Sequence, residues 1–320
     1  MPQIREDQDS PWKEALAVFF EPFLQLLYPD IHQAIDWSHR ATFLDKELQK
    51  LTHDGSTGRR YADKLVQVWL RNGHECWVLI HVEVQGEAEA TFQERMFVYY
   101  SRIRDHHQKP VVSLAVLTDT SPRYKPDRFE EVVLGSGIRF KFHTVKLLDF
   151  RYRLDELLAS DNPFALLVAA QLTAKLVKSG KQRADNLISF YRLASRKQLD
   201  RKSITRLIVF LEWLVALPPE IEAYYNAEVD RLEEENTVAY VSLLEKRGIK
   251  RGIEQGFERG IEKGIEQGRA AVLLHQLQLK FGELPGELHQ RVTRAGQAEL
   301  DLWAERILFV DNLQAVFAAA

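Results

Sequence analysis

The chain has 320 residues, 45% of them hydrophobic, and a formal net charge of −3. Such a chain can bury one substantial core or two smaller ones, which excludes wholesale disorder. Cys76 is the single cysteine, so an intrachain disulfide and a cysteine-rich zinc site are excluded, and no apolar run is long enough to span a bilayer. The first residues, MPQIREDQDSPW, are polar and acidic where a secretory signal would be basic and then apolar, so a cytoplasmic protein with no membrane partner is expected. A net negative charge obliges any nucleic-acid surface to be local. Arg59, Arg60 and Lys64 form one candidate, and Arg196, Lys197, Arg201, Lys202 and Arg206 a second that reads equally as a solvated helix face.

In chain order, residues 12–29 carry apolar positions at helical spacing, with Pro22 expected to kink or split the helix and Pro29 to end it. Residues 41–51 form a short amphipathic or extended segment containing Asp45 and Glu47. Next come two strand patterns, 62–71 (ADKLVQVWLR) and 75–85 (ECWVLIHVEVQ), joined by Asn72-Gly73, a strong hairpin signal. A hairpin sets Asp63, at the head of the first strand, beside Glu83 and Gln85, at the tail of the second.

Register decides whether these residues meet. A two-residue turn places Asp63 opposite Val82 and turns Glu83 to the other face. A loop with an odd number of residues, Arg71-Asn72-Gly73 or Asn72-Gly73-His74, puts Asp63, Glu83 and Gln85 on one face. Two carboxylates and an amide converging there suit a divalent cation that activates water; solvated strand ends are the plainer reading of the same pattern. Cys76, within the apolar run CWVLI, reads as a small core residue.

Residues 88–106 read as a helix with Phe92, Met96, Tyr99 and Ile103 on one face. Arg95 near its start carries a guanidinium fork that matches phosphate oxygens, and it is equally placed for a structural ion pair. Residues 110–118 read as a strand buried on both faces, 119–126 as a loop and 137–149 as a last strand. Helices between strands imply an α/β architecture, a mixed sheet flanked by helices. Residues 162–217 are helical and complete a first domain, 1–217. The histidines, His81 and His106-His107 included, show no recognised metal spacing.

Residues 218–269 form a second region. Its first part, about 221–246, is helical in pattern. Gly248, Gly252, Gly256, Gly260, Gly264 and Gly268 then recur every fourth residue, the first five each followed by Ile or Phe. Six glycines oppose an isolated helix by roughly 1 kcal/mol each. The spacing nevertheless draws a glycine stripe and an apolar stripe that a second helix could approach closely, which makes 221–268 a homo-oligomerisation stalk. A low-complexity linker fits the same composition. Residues 270–320 read as a small all-α domain, with Leu273, Leu274, Leu277 and Phe281 on one apolar face.

Asp63, some twenty residues, then Glu83-Val84-Gln85 resembles the PD-(D/E)XK nuclease superfamily, in the branch where glutamine replaces the usual lysine. That branch includes the Rpn recombination-promoting nucleases and putative transposases. The likeness extends to Gly58–Leu65, His81–Gly86, Phe92–Phe97 and Asn162–Leu166, over about the first half of the chain, and 270–320 resembles a helical domain of unknown function often attached to such a core. The resemblance implies a restriction-endonuclease-like fold, DNA as partner and Mg²⁺, or Mn²⁺ in its place, with no small-molecule cofactor. It implies Asp63, Glu83 and the Val84 carbonyl as metal ligands, and Gln85 where the lysine orients water. Glu47 is a candidate extra ligand; Lys64 or Arg95 could supply the charge that Gln85 lacks. A non-catalytic oligomer that keeps the fold and binds DNA or protein is the alternative, and hydrolysis of RNA is not separable from the motif.

Overall fold

The computed structural model describes residues 9–44, 61–83, 91–235, 268–282, 284–310 and 312–317, with backbone alone at 9–11, 61–63, 78–83, 294, 297 and 298. They fall into two compact units, one holding the described residues up to 235 and the other those from 268. Among the described residues no helix is long and apolar enough to cross a membrane.

The first unit opens with helices α1 (Asp9–Val18), α2 (Phe20–Leu27) and α3 (Pro29–Ala34). The expected split occurs at Phe19, so Pro22 falls in the first turn of α2, where its missing N–H interrupts no helical hydrogen bond. Strands β1 (Thr42–Phe43), β2 (Tyr61–Trp69) and β3 (Glu75–Glu83) follow, then α4 (Phe92–His107) and β4 (Val111–Leu117). After them come β5 (Arg128–Val133), β6 (Ser136–Lys141) and β7 (His143–Lys146). One mixed sheet has the order β1-β2-β3-β4-β7, and β5-β6 is a separate ribbon. The pairs β1-β2 and β2-β3 are antiparallel, while β3-β4 and β4-β7 are parallel. The expected strand 137–149 is thus two strands in different sheets, and its partner β5 lacked a clean alternation. The ribbon turns through Leu134-Gly135, both at positive φ (50° and 83°), the backbone of a tight two-residue hairpin turn.

Helices cover both faces of the sheet. On one face α4 lies over Leu65 and Trp77 through Tyr99 and Ile103, and over Ala115 and Leu117 through Phe92 and Met96. On the other, α1 packs on β2, and Lys64, Val66, Val68 and Cys76 are buried. The helices α5 (Leu154–Ala159), α6 (Pro163–Leu176), α7 (Gly180–Ser195), α8 (Arg201–Val215) and α9 (Pro219–Glu234) complete the unit. From Pro163 to Thr173 every residue of α6 is buried, as an all-round apolar helix must be. Asn162 caps it, accepting from Phe164 N at 2.8 Å and donating to the Pro22 carbonyl at 2.9 Å.

The first part of the expected stalk is α9, which packs on α7 of its own unit. Tyr225, Val229 and Leu232 are buried, Tyr191 donates to Glu233 at 2.5 Å and Tyr225 to Glu212 at 2.9 Å. The first compact unit therefore runs past 217 and includes α9, whose apolar stripe is spent within it. The glycine repeat up to Gly264 lies outside the described residues. In the second unit a helix over 268–281, α10, is followed by α11 (Gly286–Arg294), α12 (Gln297–Arg306) and α13 (Leu313–Val316). Leu273, Leu277, Val292, Leu300, Trp303 and Val316 are buried in one core, as expected of a small all-α domain.

Candidate active site at the hairpin ends

The β2-β3 loop has three residues, Arg71-Asn72-Gly73. Leu70 N donates to His74 O at 2.8 Å, Gly73 N to Leu70 O at 2.9 Å, and His74 N to the Asn72 side chain at 3.1 Å. Gly73 closes the loop at φ +82°, a left-handed conformation that glycine adopts without steric cost and that a three-residue hairpin loop requires at this position. The odd loop sets the pairing: Tyr61 opposite Glu83, Asp63 opposite His81, Lys64 opposite Ile80. By strand alternation, positions 61, 63, 81 and 83 share one face. Asp63 and Glu83 are a diagonal cross-strand pair, a separation of about 7 Å that two carboxylates sharing one ion can span.

The neighbouring strands extend this row. Glu83 pairs with Leu117 and Leu117 with Lys146, while His81 pairs with Ala115. The face is the one that α4 covers, since Leu65 and Trp77 lie on it. The first turn of α4 brings Phe92 and Met96 onto Ala115 and Leu117. Arg95 in the same turn is 7% exposed, with its guanidinium carbon 5.5 Å from the Phe92 ring centroid. The helix that carries Arg95 therefore begins over the end of the sheet where Glu83 stands.

Lys64 is not brought to this face. It is buried on the opposite side of β2, with Nζ 5.5 Å from the centroid of the Phe43 ring. Glu47, Val84, Gln85, Arg59 and Arg60 lie outside the described residues. Of the second basic run, Arg196, Arg201 and Lys202 are exposed, whereas Lys197 donates to the Ser160 carbonyl and burial pulls its pKa down. Burial pushes the Cys76 thiol up, in keeping with an inert core cysteine. His81, passed over in the sequence because it lacks a metal spacing along the chain, stands directly across from Asp63. Its signal was the hairpin register, not sequence spacing.

Among the described residues no group of three His, Cys, Asp or Glu side chains is placed to hold a metal; the side chains of Asp63, His81 and Glu83 are not among those described. Near the same end of the sheet, the Asp119 carboxylate and Lys146 ammonium form an ion pair with both side chains shut away from solvent. No protein-family model, curated protein or solved structure matches the chain.

Proposed function

We propose that the first unit is a Mg²⁺-dependent endonuclease that hydrolyses DNA phosphodiesters, of the PD-(D/E)XK kind and related to the Rpn nucleases and putative transposases. One observation carries this reading: the three-residue loop gives the register under which Asp63 and Glu83 fall on one face of adjacent strands. The coarse architecture, a mixed sheet flanked by helices, is what the resemblance implies.

In this reading Asp63, Glu83 and the backbone carbonyl of Val84 hold the cation. Bound there, a divalent ion lowers the pKa of water and offsets charge developing on the phosphate. Gln85 orients water by hydrogen bonding without adding positive charge, so transition-state stabilisation falls to a cation from elsewhere. Arg95 is that residue by position, because its helix starts over the Glu83 end of the sheet and its fork can grip two phosphate oxygens. In this reading His81, paired with Asp63 in the strand register, accepts a proton from the attacking water.

The test is cleavage of supercoiled plasmid by purified full-length protein with Mg²⁺, with Mn²⁺ and with EDTA, alongside Asp63→Asn and Glu83→Gln. Nicking or linearisation that needs the metal and falls at least 100-fold in each variant is expected. Folded protein that cleaves neither plasmid nor single-stranded RNA with either metal would overturn the reading and leave a binding protein that retains the fold.

A further inference from the structure

The carboxyl ends of β4 and β7 hold a second polar site. Asp119, two residues beyond β4, is 1% exposed. Its carboxylate pairs with Lys146, the last residue of β7, and accepts from Ser121 N at 2.9 Å. The charge of Asp119 is therefore matched before any ligand is considered. Asp119 lines a small recess, about 10 Å³ and open to one side, together with Thr118, Thr120, Gln171, Lys175 and leucines. Gln171 is 1% exposed. Its Oε1 accepts from Trp12 Nε1 at 3.0 Å, which fixes the amide so that Nε2 is the group left over. That Nε2 is buried and has no hydrogen-bond partner among the described residues. A buried donor without an acceptor is costly. The second cation, Lys175 in the last turn of α6, feels burial, which lowers its pKa, and the opposing field of Asp119.

The recess thus offers a buried amide donor and an ammonium, with the one carboxylate already neutralised. Its volume holds one oxygen-sized atom. It sits beyond the carboxyl ends of parallel strands, where ligands of open α/β sheets gather, and at the same end as Glu83, because Glu83, Leu117 and Lys146 pair in one row. We propose that this recess is an anion site, in which Gln171 Nε2 and Lys175 Nζ hold one oxygen of a phosphate whose remaining atoms stay at the open mouth. The site admits a free phosphate or one on a nucleic-acid strand. Only the second source rests on the nuclease reading, for which the site would anchor the strand beside the point of cleavage.

The experiment titrates the full-length protein, in EDTA, with inorganic phosphate and with chloride at matched ionic strength, reading calorimetric affinity and the thermal midpoint. A 5′-phosphorylated oligonucleotide is compared with its 5′-hydroxyl form. Lys175→Gln alters a half-exposed residue, and Gln171→Glu keeps the acceptor for Trp12 while replacing the donor with a negative charge. Phosphate binding beyond the chloride effect, weakened about tenfold or more in each variant as expected for one lost charged hydrogen bond, supports the site. Phosphate that acts no differently from chloride, or that binds Lys175→Gln as tightly as the natural protein, overturns it. Preference for the phosphorylated oligonucleotide assigns the nucleic-acid source; phosphate binding without that preference overturns that source and assigns free phosphate. No readout involves cleavage, so failure of the nuclease reading and failure of this site are separable.

Discussion

Lys146→Met removes one half of the buried pair with Asp119. The two side chains are 1% and 0% exposed, so the carboxylate would keep only partial compensation, from Ser121 N at 2.9 Å and the more distant charge of Lys175. Breaking a buried ion pair from one side costs about 3–5 kcal/mol. The remaining partners of Asp119 place Lys146→Met at the low end, about 3 kcal/mol. Asp119→Leu leaves the buried ammonium facing the Tyr124 ring, 5.8 Å from its centroid, and belongs at the high end, about 5 kcal/mol. The double variant removes both charges, and its expected stability is within about 1 kcal/mol of the natural protein. Urea unfolding followed by tryptophan fluorescence measures the cycle. With a slope of about 3 kcal/mol per M for a unit of this size, the midpoint should fall roughly 1 M in Lys146→Met and recover most of that in the double variant. A fall below about 0.3 M, or a double variant no more stable than the worse single one, would refute the view that the two charges are desolvated together.

Three further outcomes are expected. Leu134 holds a positive φ of 50° at the ribbon tip with its side chain fully exposed, so Leu134→Asn should raise stability by about 0.5–1 kcal/mol, which thermal denaturation would detect. Glu75 accepts from Lys109 at 2.6 Å and from Trp77 Nε1 at 2.7 Å, and the Lys109 bond above all holds its pKa below 4.5. A lowered folded pKa means that the contribution is full above 4.5 and is lost as the pH falls through the folded value. Stability measured from pH 6 down to about pH 3 should therefore decline less steeply in Glu75→Gln, and identical profiles would remove Glu75 from the acid response. Arg95→Lys keeps a charge but loses the bidentate fork, so kcat for plasmid cleavage by the folded variant should drop about tenfold or more; an unaltered kcat would take Arg95 out of the proposed chemistry.

Local patterns were legible wherever a face is buried. Phe92, Met96, Tyr99 and Ile103 marked the buried side of α4, and the mostly apolar run at 111–117, without alternation, marked a strand covered on both faces. The ribbon β5-β6 was half hidden, because Glu130, Glu131, Val132 and Val133 are all exposed and no alternation records a core. The stripe on α9 is ambiguous in a different way. Tyr225, Val229 and Leu232 make an apolar stripe whatever partner covers it, and it is the chain's own α7 that does so.

The sequence by itself determined that Asn72-Gly73 would turn a hairpin and that Asp63 and Glu83 would stand at its far ends, since turn chemistry and period-two patterning are local. Whether those two positions share a face depended on one residue of loop length, and the pattern admits both registers. Only the tertiary structure decided it. Gly73 in the left-handed region closes a three-residue loop, and packing of Leu65 and Trp77 under Tyr99 and Ile103 holds the register, because a slip by one residue would turn that apolar set away from α4. The placing of His81 across from Asp63 follows from that same register, whereas Lys64 falls on the face opposite Asp63 by strand alternation alone. The pairing of Asp119 with Lys146, 27 residues apart in the sequence, came from the parallel alignment of β4 with β7, which no local pattern encodes.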